Sequence, residues 1–325
     1  MIGRVLEAFG RRPSGAIERV AAGTLNHNYR VGTETDDLFV RLHRSDAGAD
    51  EIRAEHALIR WVAERGVPVA RPIVNVRGET LVAMSDGGLW SVHPWIDGRV
   101  IARGTATAAE AMVLGDMHGR TQALLARHPA SAGATFDKTW DRAASLSRLQ
   151  RVLDAAARAG AERWIRDGIA LQARLLDREP LRLPSEFAAL PCQVVHGDYH
   201  DEQVLLDDDG GVAAVVDWEQ CGSAARVYEL VRAIAFSGLV ESPHLEPYLD
   251  GYRRHVRLSE AECRLGMQLW WQSRLGGTWL WDAYFLEGNE RVAPLFAAAI
   301  AACERLADAS WRDTVTERMV AAALG

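Results

Sequence analysis

The chain has 325 residues, 48% of them hydrophobic and 25% charged, with a net charge of −7, and is long enough to bury two packed lobes. That acidic balance, with no basic stripe, excludes nucleic acid as a class of partner. The longest apolar run, residues 292–303, is broken by Pro294 and falls short of the ~20 residues a bilayer span needs, so no membrane partner is expected.

Arg4 and Glu7 leave no apolar leader region at the N-terminus. Cys192, Cys221, Cys263 and Cys303 stand among apolar neighbours without metal-ligand spacing, which predicts reduced thiols in a cytoplasmic protein. The ten histidines show no paired spacing that would suggest zinc.

The first ninety residues predict a small, mainly β segment. An apolar run at 17–20 leads into the turn Ala-Ala-Gly-Thr-Leu-Asn-His-Asn at 21–28. Gly23, Thr24, Asn26 and Asn28 suit a tight turn that presents backbone N–H groups to phosphates, and equally an ordinary polar hairpin. A strand through Tyr29 and Val31 follows, then a buried strand at 38–42 carrying one cation, Arg41. Residues 50–65 predict a helix from the spacing of Ile52, Leu58, Ile59 and Val62, with Gly66 as the stop. Glu51 and Glu55 share one face of it. Pro68 and Pro72 stiffen the way into strands at 73–76 and 80–84; 89–94 is the last strand, and Trp95-Ile96-Asp97-Gly98 breaks it.

Beyond this the pattern turns helical. Thr107 and Glu110 form a capping box ahead of Leu114, Met117, Thr121 and Leu124 at helical spacing. An Ala-, Leu- and Arg-rich stretch predicts helix over roughly 142–177, closed by Pro180 and Pro184. The segment 263–286 gathers Trp270, Trp271, Trp279 and Trp281 with Arg274, Asp282 and Tyr284. Such aromatics serve either as core or as a ligand box. Arg274 within this apolar run needs a partner, either an internal acid such as Asp282 or an anionic group on a ligand. Conversely, Asp282, Glu287 and Glu290 are suited to attract a polyamine.

The most specific stretch is His196-Gly-Asp-Tyr-His-Asp-Glu-Gln-Val-Leu-Leu206, followed by Asp217-Trp218-Glu219. Asp198 and Asp217 each end an apolar run, and the turn 207–211 with its glycine pair joins the two short strands between them. Strands that deliver two carboxylates to one edge fix charge for chemistry. Phosphoryl transfer needs a positioned hydroxyl, a carboxylate to take its proton and cations across the phosphates. Asp198 fits the carboxylate that orients and deprotonates the acceptor. Asp217 fits a Mg²⁺ ligand, and Gln203 offers a neutral amide oxygen to the same ion.

His196-Gly197-Asp198, the amide at 203 and Asp217-Trp218-Glu219 resemble the signature of the aminoglycoside phosphotransferase and choline kinase family. The resemblance implies an α+β, two-lobed protein-kinase-like fold that binds ATP and Mg²⁺ and phosphorylates a hydroxyl of a small molecule. It places the small lobe at 1–92, the hinge at 93–98 and the large lobe at 99–325. It also implies that Asp198 is catalytic, that His196 supports the loop's geometry and that Asp217 binds metal. Gln203 departs from the family's usual Asn, and Asp201 and Glu202 replace the commoner Pro-Gly, adding negative charge near the metal site. By the same likeness the 23–28 loop covers the phosphates, and Arg41, held by Glu55, contacts them where Lys is commoner. Backbone groups of 93–96 (His93, Trp95 and Ile96 included) take the adenine edge, and Glu229 buttresses the catalytic loop. Ser273-Arg274-Leu275 is similar to a stretch in relatives of the homoserine kinase type, which implies a carboxylate-bearing alcohol as acceptor. Trp271, Arg274 and Asp282 are the residues expected to meet the acceptor. The other readings of this signature are a polyamine sugar as acceptor, a protein-directed kinase, and a nucleotide-binding pseudokinase.

Overall fold

Alternating apolar residues lay out an antiparallel sheet behind a short helix, α1 (Ile2–Ala8). A computed structural model describes residues 1–20, 25–135 and 141–325. The sheet runs β1-β2-β3-β5-β4, from β1 (Pro13–Val20), β2 (His27–Thr33), β3 (Asp37–Leu42), β4 (Val82–Ala83) and β5 (Leu89–Pro94). Its register sets Val31 against Leu38 and Val40 against Val92. Because side chains alternate along a strand, these residues share the face that packs on Val5 and Leu6 of α1 and on Phe9 just after it. The same alternation puts Arg41, with Asn28 and Ser91 opposite it, on the other face. Residues 73–76, expected as a strand, are irregular. They make one bond to β5, from Ile73 N–H to the Val92 carbonyl, one from Val76 N–H to the Ala8 carbonyl, and several within their own turn at Asn75–Glu79.

The helix α2 (Ala49–Ala63) begins with Glu51 accepting the Gly48 N–H and closes ahead of Gly66. Its apolar stripe, Leu58, Ile59 and Val62, packs into the core of the C-terminal part rather than against the sheet. The following turn is tied there too, since Val215 N–H donates to the Pro68 carbonyl at 2.8 Å.

That C-terminal part is helical around a small β insert. It comprises α3 (Ala108–Leu125), α4 (Arg142–Arg158), α5 (Arg163–Arg178), α6 (Arg226–Phe236), α7 (Leu245–Tyr252), α8 (Glu260–Gly276), α9 (Trp279–Phe285), α10 (Phe296–Leu306) and α11 (Ala309–Leu324). The capping box at Thr107 and Glu110 starts α3 as anticipated. The helix anticipated over 142–177 is two, because Gly160 takes a left-handed φ of +67° after Ala159 and ends the first. The insert pairs β6 (Cys192–Val195) with β9 (Gly222–Ala225), and β7 (Val204–Leu206) with β8 (Val212–Val215) through a turn closed at Gly210. Among the described residues no helix is long and apolar enough to cross a membrane.

Candidate active site

Strand β6 delivers His196, and the chain then turns sharply at Gly197, whose φ is +86°. A Cβ there would lie 1.9 Å from the Gln220 carbonyl oxygen, so no other residue fits without moving backbone. The Gly197 N–H donates to Glu229 Oε1 at 2.6 Å. Glu229 is buried on α6, and its Oε2 receives Gln122 Nε2 at 2.7 Å and His118 Nε2 at 3.3 Å. Burial works to raise this carboxyl, but the hydrogen bond and charge of His118, with His196 and Gln122, hold it below the ordinary value. Glu229 therefore supports the loop, as anticipated.

His196 acts on the loop from the other side. Its Nδ1 accepts the Asp198 N–H at 3.2 Å, so Nε2 carries the proton and donates to the Val216 carbonyl at 2.9 Å. Burial pushes its pKa down, which keeps the ring neutral. One side chain thus ties the Asp198 loop to the strand end that carries Asp217. Its role is positioning.

Asp198 is one-fifth exposed and forms an ion pair with Arg232 of α6. His200 Nε2 lies 3.8 Å from Asp198 Oδ1 and 3.5 Å from the Gln203 amide nitrogen. That nitrogen is in turn 3.4 Å from Asp217 Oδ2. The two carboxylates, nineteen positions apart in sequence, thus lie on either side of the His200 and Gln203 side chains. Asp201 is fully buried and accepts the Glu202 N–H at 3.0 Å, while Glu202 pairs with Arg103 at 3.0 Å.

Asp217 has φ 62° and ψ 62° and is the only non-glycine residue at positive φ among those described. Strain of this kind persists where surroundings over-determine it. Here Arg41 Nη2 lies 3.2 Å from Asp217 Oδ1, and Arg41 Nη1 lies 3.7 Å from Glu219 Oε2. Arg41 Nε donates to Asn28 Oδ1 at 3.3 Å, and Asn26 Nδ2 donates to Glu219 Oε2 at 2.5 Å. Arg291 reaches over to the Asn26 carbonyl at 3.3 Å. Gly23 and Thr24 lie outside the described residues. The anticipated Arg41–Glu55 pair is not closed: Glu55 is buried nearby, but Arg41 is taken by Asp217 and Glu219. Burial raises the Glu55 carboxyl to about 7, with Arg41 opposing and Glu219 and Asp217 adding to the rise. Glu219 is raised as well, by burial and then by Asp217.

Three carboxylates thus surround one guanidinium, a charge imbalance suited to a divalent cation. Among the described residues no three His, Cys, Asp or Glu side chains form a ready metal cluster. Mg²⁺ needs none, since it binds through one or two carboxylates plus phosphate oxygens and water. Gln203 now presents its amide nitrogen to Asp217, and its oxygen would take that place after a half-turn of the amide.

At the expected hinge, Trp95 N–H donates to the Asp37 carbonyl at 3.0 Å, continuing the β3–β5 ladder. In an antiparallel pair bonded residues alternate, so the backbone groups of His93, two positions earlier, also face β3. The Pro94 carbonyl, at the strand's end, points the other way, and Ile96 lies beyond it. The adenine assignment is therefore corrected for His93 and Trp95 and leaves Pro94 and Ile96. The His93 ring is buried and bonded to the Ala70 carbonyl at 3.0 Å.

The residues expected to meet the acceptor separate. Asp282 is buried with both oxygens occupied, by Arg148 Nε at 2.8 Å and Thr278 Oγ1 at 2.6 Å, so it neither lines a site nor pairs with Arg274. Trp271 packs on the core under Arg312, which stacks 4.9 Å from its ring centre. Arg274 instead lies 5.7 Å from the ring centre of Phe236, beside Arg232. Arg232, Arg103, His200 and Glu219 were not anticipated as site residues. His200, two positions after Asp198, and Glu219, two after Asp217, carried a signal in the motif itself; Arg232 and Arg103 did not.

Comparison with known proteins agrees with this geometry. A family model described as "Phosphotransferase enzyme family" matches residues 16–270. Homoserine kinase of Methylobacillus glycogenes is 26% identical over 300 residues, covering 85% of this chain and 83% of that protein. Among solved structures, amicoumacin kinase hAmiN in complex with AMP-PNP, Ca²⁺ and Ami superposes with a TM-score of 0.64 at 16% identity, over 94% of this chain and 92% of that one. A microcompartment-associated aminopropanol kinase superposes with a TM-score of 0.61 at 16% identity, over 100% and 98%. A kinase-like fold with two acids flanking one loop, and a family match over most of its length, place the chain in the phosphotransferase enzyme family, as a small-molecule kinase acting on a hydroxyl.

Proposed function

We propose that the chain transfers the γ-phosphate of ATP, as its Mg²⁺ complex, to the hydroxyl of a small amino alcohol. The observation that carries this reading is the placement of Asp198 and Asp217 on either side of His200 and Gln203, a proton acceptor on one side and a cation ligand on the other. Asp198 accepts the acceptor's hydroxyl proton as the new O–P bond forms and the bond to ADP breaks. Asp217, with Gln203 and Glu219 beside it, would hold Mg²⁺, which when bound neutralises charge on the phosphate oxygens. Arg41, held by Asp217, Glu219 and Asn28 rather than by Glu55, contacts the phosphates, with Asn26 fixed beside it on Glu219. The nucleotide lies between residues 1–92 and 99–325, with Pro94 and Ile96 of the 93–98 hinge meeting the adenine edge. Homoserine kinases among the relatives support a small amino alcohol over an aminoglycoside.

The test is ADP release with and without Mg²⁺, over a panel of L-homoserine, 1-amino-2-propanol, kanamycin and a casein substrate. Turnover should require Mg²⁺, rise with a small amino alcohol, and fall by at least about 10³-fold in Asp198→Ala. Nucleotide binding without turnover on any acceptor would reject the reading in favour of a pseudokinase.

A further inference from the structure

Helix α6 runs along the catalytic loop and meets it at four successive points. Glu229, Arg232 and Phe236 recur at helical spacing and so share one face, with Ser237 just past its end. Glu229 accepts the Gly197 N–H, and Arg232 forms the ion pair with Asp198. The Phe236 ring centre lies 5.8 Å from that of His200, and Ser237 Oγ accepts the Asp201 N–H at 3.0 Å. Three of these contacts shape the loop. Only Arg232 reaches the carboxylate on which the chemistry depends. Both side chains of that pair are mostly buried, so water screens it poorly. The pair is also one-sided. Arg232 Nη2 meets Oδ1, and His200 Nε2 lies 3.8 Å from the same oxygen, while no hydrogen bond from a described residue reaches Asp198 Oδ2. Arg232 Nη1 is buried without an acceptor, so the guanidinium does not close the two-branched pair that its planar fork allows. A buried donor left unmade costs stability, and a pair kept for stability alone would close both branches. Phe236 lies 4.5 Å from the guanidinium carbon and backs it in place.

We propose that Arg232 is a positioning residue for phosphoryl transfer: it fixes Asp198 by Oδ1, so that Oδ2 stands free to take the proton of the acceptor's hydroxyl. This rests on the reading of Asp198 as the proton acceptor. The proton passes from the hydroxyl to Oδ2 as the new O–P bond forms and the bond from the γ-phosphorus to the ADP oxygen breaks. Arg232 gains and loses nothing in that step. Its work is done beforehand, by holding one rotamer of a short acid that could otherwise turn. A misplacement of about 1 Å at such a group costs about 10²-fold in rate. Lysine at this position keeps the charge but not the planar fork, so it replaces the hold only in part. The same helix thereby sets both the backbone of the turn, through Glu229, and the carboxylate that the turn presents.

The experiment uses the full chain with Mg-ATP and, as acceptor, whichever of L-homoserine, 1-amino-2-propanol and kanamycin turns over fastest. Arg232→Met should lower kcat about 10²-fold and leave the KM of acceptor and nucleotide within about threefold. Arg232→Lys, which keeps the charge and controls for misfolding, should recover about tenfold of that loss. Methylguanidinium added to Arg232→Ala should restore part of kcat. A loss confined to the acceptor's KM overturns the proposal and makes Arg232 part of the acceptor's binding surface. A rise in kcat also overturns it, making Arg232 a block on Asp198. The second measurement needs no turnover: crystal structures of wild type and Arg232→Met with Mg-AMP-PNP. The wild-type pair should persist, and in the variant the Asp198 carboxylate should turn away on an unmoved loop. A carboxylate in one place in both structures overturns the proposal. A turned carboxylate, with no acceptor phosphorylated by the wild type, would keep the hold of Arg232 on Asp198 and sink the proposed transfer instead.

Discussion

Replacing Glu55 by Gln should make the protein more stable at neutral and alkaline pH. Glu55 is 8% exposed, and burial, reinforced by Glu219 and Asp217 against the opposing Arg41, lifts its carboxyl from 4.5 to about 7. Between these values the folded chain holds a proton that the unfolded chain has released. Stability therefore falls as pH rises through this window, since it rises with pH only where the unfolded state binds more protons. Each pKa unit between the two states is worth about 1.4 kcal/mol, which makes the ionised side chain's cost about 3 kcal/mol above pH 7. A glutamine at this position would keep the shape without that titration. Urea unfolding without nucleotide should show E55Q and wild type nearly matched at pH 5, with the variant about 3 kcal/mol ahead at pH 8. Adding Mg²⁺ should narrow the gap, because a cation beside Asp217 favours the ionised form of Glu55. Curves that stay parallel from pH 5 to 8, or a wild type that leads at pH 8, would refute the assignment of Glu55 as a strained acid.

Gly197→Ala should cost at least about 2 kcal/mol, since the new methyl meets the Gln220 carbonyl at 1.9 Å in a left-handed backbone; a thermal melt equal to that of wild type would contradict the geometry of the catalytic turn. Asp282→Asn should lower stability by roughly 1–3 kcal/mol through loss of the charge-assisted bond to Arg148, with the acceptor's KM unchanged. A raised KM at an intact melting temperature would return Asp282 to the acceptor site.

Much of the site was legible because its parts are local. His196, Gly197 and Asp198 sit in one turn, and Asp217 ends the strand of a short hairpin, so strand ends and spacing suffice to bring them together. Arg232 was not legible. In Arg-Val-Tyr-Glu-Leu-Val-Arg it reads as one more surface cation of an amphipathic helix, and its place beside Asp198 depends on where α6 crosses the loop. Asp282 and Trp271 were over-read for a related reason, since helical spacing does not say which face looks inward. The break in the 142–177 helix did have a local signal in Gly160, which the richness in Ala and Leu outweighed. The Arg41–Glu55 pair was expected from separate elements. Arg41 instead turned to Asp217 and Glu219, two acids that stand close only once the chain is folded.

The packing of α2 carries a mechanical consequence. Its apolar stripe and the turn at Pro68 are fastened to the helical core, whereas Arg41 rides on the sheet. Any swing that parts the sheet from the helices would draw the guanidinium away and leave Glu55, Asp217 and Glu219 facing one another uncompensated. A gaping form is thus penalised by mutual repulsion at neutral pH, and acid or divalent ions would relieve it. The fold in this way couples the separation of its sheet from its helices to the ionic state of three side chains.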